Sequence, residues 1–263
     1  LLGFGSFEGV MNTKGELYDY LRRTSDKVFI NADNPYLCRM ASDRNLQSDP
    51  ERPYSLLLPY GLEYQGARVL ESDPEHPFLR VEMGHNVINT NLVGSYNADN
   101  VMAALAVGTY FGVSFDEAVN AIEAYVPSNN RSQMTKTERN TLIVDAYNAN
   151  PTSMAAALDN FSNVVADNKV AMLGDMLELG DDSQAEHEAV IRAAMDRGFS
   201  KVYFVGGEFA KAASNMDTDP AKAMFFDTSD LLKSHIQEMP VEGAVVLIKG
   251  SRGTRMEKVI DSL

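Results

Sequence analysis

Four apolar runs in the second half of the chain each stop at a residue that can do chemistry or make room for it. "TLIVDAYNANP" stops at Asp145, with Asn148 and Asn150 in the polar turn that follows. "AMLGDMLELG" stops at Asp175, "VYFVGG" at Gly206, and "VLIKGSRG" at Lys249 with Ser251 just beyond. Short apolar runs bounded by turn residues read as buried strands. Ligands of open parallel sheets bind at the carboxyl ends of such strands, so Asp145, Asp175, Gly206 and Lys249 are expected on one rim. Each has a plain reading as well: Asp145 as a turn-former, Asp175 and Lys249 as ordinary rim charges. It is the coincidence of four such strand ends that points to a ligand site.

The elements that would hold this rim alternate regularly from about residue 131. Strands are expected at 141 to 145, 169 to 173, 201 to 205, 223 to 226 and 244 to 248. Helices are expected at 151 to 165, 183 to 197, 207 to 214, 229 to 238 and 252 to 262. Strand and helix in alternation specify a parallel sheet with helices on both faces, a Rossmann-like doubly wound domain. Asn150 before Pro151 reads as a helix start, and Ser183 with Glu186 has capping-box spacing.

Residues 1 to 130 have another rhythm. A short helix ("KGELYDYLRR") and a strand ("KVFINAD") lead into β-like pieces ("YSLLLPYG", "ARVLES", "FLRVEM") and two helices ("NADNVMAALAVGTYFG", "SFDEAVNAIEAY"). Ser114 and Glu117 form a capping box for the second helix. This half reads as α/β with an antiparallel insertion, and "VPSNNRSQ" as the linker between domains 1–130 and 131–263.

Composition narrows the function classes. The chain has 263 residues and a formal net charge of -14, which argues against a non-specific nucleic-acid binder, since phosphate backbones reward clustered Lys and Arg. The single cysteine, Cys38, makes no internal disulfide. No run approaches the roughly 18 consecutive apolar residues of a membrane helix, so a cytoplasmic protein without a membrane is expected. The opening "LLGFGSFEGV" has no Met and no basic n-region; it reads as entry into a longer protein rather than as a signal peptide. His85 and His187 stand apart from any Cys or carboxylate at ligand spacing and are given no role. Neither G-x-x-x-x-G-K-[ST] nor a G-x-G-x-x-G after a strand occurs, so the chain brings no phosphate cradle of its own.

Several segments, in order, are similar to one family. "GFGSFEGVMNTKGEL", "INADN", "NLVGSYNADNVMAALAVG", "NNRSQ", "IVDAYNANPTSMAAAL", "AMLGDMLELG" and "VLIKGSRGTRMEKV" resemble the Mur ligases. The likeness is greatest to the branch that adds D-alanyl-D-alanine to the UDP-N-acetylmuramoyl tripeptide. It covers the last part of that family's central ATPase domain, which would be residues 1–130, and its complete C-terminal Rossmann-like domain, residues 131–263.

The resemblance implies ATP and Mg2+, an acyl phosphate on the tripeptide carboxylate, and attack on it by the dipeptide amine, in a monomer acting in peptidoglycan precursor synthesis. It implies that Lys14 is the lysine converted to a carbamate that holds a metal, and that Arg131 reaches the ATP phosphates. By the same likeness, Asn97 and Asn100 lie against the nucleotide, with Tyr96 in place of the usual histidine and helix capping as the rival role for Asn97. Asp145 meets the ribose and Asn148 adjoins it, while Asn150, Lys249 and Ser251 fall near the incoming amine. Two other readings stand beside this one: another Mur-type ligase such as a folylpolyglutamate synthase, against which "DAYNANPTSM" argues, and a non-catalytic nucleotide-binding module.

Overall fold

The computed structural model describes residues 6–24, 27–46, 57–71, 76–128, 133–214 and 216–263. The chain divides into two compact units, one formed by Leu1–Glu71, Leu79–Thr90 and Tyr96–Tyr125, the other by Ser72–Phe78, Asn91–Ser95 and Val126–Leu263.

In the first unit, α1 (Phe7–Thr24) is longer than the helix expected from "KGELYDYLRR". Strands β1 (Val28–Asn31) and β2 (Leu57–Tyr60) pair in parallel, and α2 (Pro35–Asp43) lies between them in sequence. Asn34 caps α2 by accepting from the Tyr36 and Leu37 N–H groups, with Pro35 in the first turn, where its missing N–H costs nothing. Tyr18, Val28, Ile30, Met40, Ala41 and Leu46 close this core.

The antiparallel insertion is a meander of β3 (Ala67–Leu70), β4 (Arg80–Met83) and β5 (Asn86–Asn89). Two helices follow, α3 (Ala98–Tyr110) and α4 (Phe115–Ala124), and the Ser114–Glu117 capping box at the start of α4 is formed.

The second unit is a six-stranded sheet. Its strands are β6 (Gln133–Lys136), β7 (Thr141–Asp145), β8 (Lys169–Gly174), β9 (Lys201–Val205), β10 (Ala223–Phe226) and β11 (Val245–Lys249), in the order β10-β9-β8-β11-β7-β6. All neighbours are parallel except β6, an antiparallel edge strand on β7 that lies within a polar stretch and was not expected. Helices α5 (Pro151–Ser162), α6 (Ser183–Asp196) and α7 (Gly207–Ala213) pack one core with Ile143, Leu173, Phe204 and Leu247. Helix α8 (Ser229–Glu238) and the C-terminal 3-10 turn pack the other face with Val144, Met172, Val205 and Ile248. Alternate strand residues thus serve opposite cores, which is why these runs are apolar throughout.

Two expectations are corrected. The helix at 252 to 262 is two 3-10 pieces, Arg252–Thr254 and Met256–Ser262, broken at Arg255, whose φ of 52° is left-handed. The Ser183–Glu186 capping box does not form: Asp182 occupies the cap position, and the Ser183 hydroxyl donates instead to the Glu208 carboxylate at 2.7 Å.

The Asn150 cap on α5 is built as the sequence suggested. Its side chain accepts from Ser153 N–H at 2.8 Å, and the Ser153 hydroxyl accepts from Asn150 N–H at 3.1 Å. Asn150→Ala is expected to lower the unfolding free energy by about 0.5 to 2 kcal/mol, read from urea melts, with Asn150→Ser recovering most of it.

Candidate active site at the carboxyl rim of the sheet

Asp145 and Lys249 end β7 and β11 in register with each other. The Lys249 side chain is 1% exposed and that of Asp145 14%, and Nζ lies 2.6 Å from Oδ2. Nζ also donates to the Asn148 carbonyl at 3.3 Å. Lys249 is therefore no ordinary rim charge. Its stem is buried within the sheet and its ammonium fixes both the Asp145 carboxylate and the turn after it. The Asn148 side chain accepts from Ala149 N–H at 2.9 Å and is exposed.

Asp175, directly after β8, is also buried rather than a surface charge. Its carboxylate accepts from the Glu208 and Phe209 N–H groups at 3.0 and 2.9 Å, capping the start of α7. Burial pushes its carboxyl pKa up, against those two N–H groups, which pull it down. Gly206 makes the approach possible: its φ is 123°, and a Cβ there would lie 2.2 Å from the Asp175 carboxyl.

Ser251 joins three strand-end loops. Its N–H donates to the Asp175 carbonyl at 3.1 Å, its hydroxyl accepts from Leu177 N–H at 3.0 Å, and it donates to the Ala149 carbonyl at 3.4 Å. Asp145, Asn148, Asn150, Asp175, Gly206, Lys249 and Ser251 thus lie at the carboxyl edge of one sheet.

Beside them opens a cleft of about 390 Å³ that carries both signs of charge. Asp175, Asp227 and Asp230 supply the acids and Arg255 and Lys258 the bases, with Lys258 Nζ 2.5 Å from the Asp230 carboxylate. Sequence reasoning did not select Asp227, Arg255 or Lys258. Asp227 had a usable signal, its place directly after an apolar strand. Arg255 and Lys258 had none, lying inside a stretch that scans as helix.

In the first unit, Asn97 is buried at the start of α3 and makes no side-chain cap bond, so the capping rival is not what the structure shows. Its Oδ1 accepts from Asn100 Nδ2 at 3.1 Å. Tyr96 is 37% exposed. Lys14 lies exposed on α1, and Arg131 falls outside the described residues. Among the described residues no three His, Cys, Asp or Glu side chains gather as a metal site, and no helix is long and apolar enough to cross a membrane.

This architecture matches known proteins along most of the chain. Residues 2–108 match the Mur ligase middle domain and residues 130–252 the Mur ligase glutamate ligase domain. The chain belongs to the Mur ligase family. Within it, the chain is similar to UDP-N-acetylmuramoyl-tripeptide–D-alanyl-D-alanine ligases. It is 28% identical to that of Bacillus subtilis (strain 168), covering 98% of this chain and 55% of that protein. It is 32% identical to that of Treponema pallidum (strain Nichols), covering 79% and 45%. Solved folds agree: MurF from Acinetobacter baumannii superposes with a TM-score of 0.75 at 24% identity, over 99% of this chain and 56% of that one. MurF from Thermotoga maritima in complex with ADP gives 0.75 at 20% identity, over 98% and 57%. The chain spans about half the length of the curated relatives it matches.

Proposed function

We propose that this chain is part of a cytoplasmic, monomeric, ATP-dependent ligase that joins D-alanyl-D-alanine to the UDP-N-acetylmuramoyl tripeptide during peptidoglycan precursor synthesis. The observation that carries the reading is the Asp145–Lys249 rim with a cleft of both charge signs beside it. The relatives are named as ligases of those two substrates, and the Thermotoga maritima structure is in complex with ADP.

The residues present fit a nucleoside and a zwitterion. Asp145 offers a short acceptor, fixed by Lys249, for the vicinal hydroxyls of the ATP ribose, and Asn148 adjoins it. A dipeptide presents one ammonium and one carboxylate, which the acids and bases of the cleft complement; Asn150, Lys249 and Ser251 shape the loops next to it. In the other unit, Asn97 and Asn100 are the nucleotide contacts proposed there; Arg131, at the start of domain 131–263, is the proposed phosphate contact.

ATP transfers its terminal phosphoryl group to the tripeptide carboxylate, giving an acyl phosphate and ADP. The dipeptide amine adds to that carbonyl, loses a proton, and expels inorganic phosphate as the amide forms. The contribution of this chain is positioning and charge complementarity. For Mg2+ this chain offers one residue to hold it. Lys14, as a carbamate, would present oxygen to that hard cation, and no step is assigned to the metal. Domains 1–130 and 131–263 are the division proposed for these roles, and the chain alone is expected to turn over no ATP.

The test uses the ligase extended to its relatives' length. Asp145→Asn keeps an acceptor for Lys249 but loses the charge toward the ribose. The KM for ATP should rise about ten- to a hundredfold, the size of a charge-assisted hydrogen bond, with the dipeptide KM nearly unchanged. An unchanged ATP constant would return Asp145 to a turn-forming role. Nucleotide binding without any amide product would leave a binding module.

A further inference from the structure

His187 is completely buried on α6, although no Cys or carboxylate stands at ligand spacing from it in the sequence. Its Nδ1 lies 2.7 Å from the Ser183 carbonyl, which can only accept, so the ring hydrogen sits on Nδ1. Its Nε2 lone pair then accepts from Met176 N–H at 3.0 Å. The ring stands edge-on to Phe209 with centroids 4.6 Å apart.

What it holds is the segment directly after β8. Asp175 N–H donates to the Val205 carbonyl, Met176 N–H to His187, and Leu177 N–H to the Ser251 hydroxyl. Three consecutive amides are therefore each fastened to a different part of the unit, and the segment is a fixed wall rather than a loop. Leu177 is the large apolar side chain that this wall turns toward the cleft. Its Cδ1 lies where a Cβ on Gly253 would be only 2.6 Å away, so the two residues face each other across the lining.

We propose that His187 is a positioning residue that sets the Met176–Leu177 wall and, through Leu177, the fit of the small alkyl side chain of the incoming amine. This rests on the reading of the cleft as the dipeptide site. His187 touches no ligand; it acts through the Met176 N–H, with the Asp175 carboxylate 3.7 Å from the same Nε2.

Two measurements on this chain separate the proposal from the reading on which it rests. His187→Leu removes the acceptor but keeps bulk, while His187→Gln restores an acceptor at about the same reach. In the leucine variant, amide exchange at Met176 and Leu177 should accelerate about ten- to a hundredfold, the size expected for a buried N–H without its acceptor, while Val170 to Leu173 keep their rates. The dissociation constant for D-alanyl-D-alanine, followed by NMR titration, should rise about tenfold, and the glutamine variant should return both quantities to near wild type. Unchanged exchange at Met176 and Leu177, or equal acceleration along β8, overturns the role of His187 whatever the dipeptide does. A changed exchange pattern with an unchanged dipeptide constant overturns the effect on fit. If the unaltered chain binds no dipeptide, the reading of the cleft falls, and with it the substrate half of the proposal, while the exchange pattern still decides the anchoring half.

Discussion

Asp145→Ala is expected to lower the unfolding free energy of the sheet unit by about 3 to 5 kcal/mol, far more than an exposed carboxylate would. The reason lies in the partner: Lys249 has a side chain only 1% exposed, and removing Asp145 leaves its ammonium buried without a counter-ion. Removing both charges should therefore be milder than removing one. Asp145→Ala combined with Lys249→Met is expected to recover most of the loss, since an apolar side chain of similar length suits that position. Denaturant melts of the single and double variants read this directly. A single-variant cost below about 1 kcal/mol, the range of surface pairs, would mean that water reaches the ammonium and the pair is not a buried one.

Gly206→Ala is the second change with a large expected effect. A residue at φ of 123° and ψ of 164° occupies a region essentially reserved for glycine, and an added methyl would collide with the Asp175 carboxyl. Backbone strain contributes about 1 to 3 kcal/mol and forced repacking about as much again, so the expected loss is about 2 to 6 kcal/mol. Relief can come only if Asp175 swings away from α7. That would free the Glu208 and Phe209 N–H groups and open them to rapid exchange, an accompanying signature visible at the same two amides. Slow exchange there in a folded Gly206→Ala variant would show that the approach of Asp175 does not depend on the missing side chain.

Much of this was readable from residue types alone. The strands at 141–145, 201–205 and 223–226 and the helix at 229–238 lie where the apolar runs and turn residues put them, because strands buried on both faces cannot hide in a polar pattern. The shared rim followed from strand direction. What was not readable depended on partners distant in sequence. Nothing local tells that Lys249 is buried against Asp145, 104 residues earlier, rather than pointing to water. The edge strand β6 carries little apolar signal because its side chains are only partly covered on the sheet faces. Ser183 and Glu186 have the spacing of a capping box, yet the serine hydroxyl found a better acceptor in Glu208. His187 lacked a Cys or carboxylate at ligand spacing, and its hydrogen-bond partners proved to be main-chain groups, the Ser183 carbonyl and the Met176 N–H, which no motif can mark, with the Asp175 carboxylate 3.7 Å away.

The position of β11 bears on how the protein comes into being. It follows β7, β8, β9 and β10 in the sequence, yet it lies between β7 and β8. Until residues 245–249 emerge, those two strands have no shared partner and present open edges to other nascent chains. A premature stop shortly before Val245 would not trim a tail; it would remove the middle of the sheet and leave Asp145 without its cation.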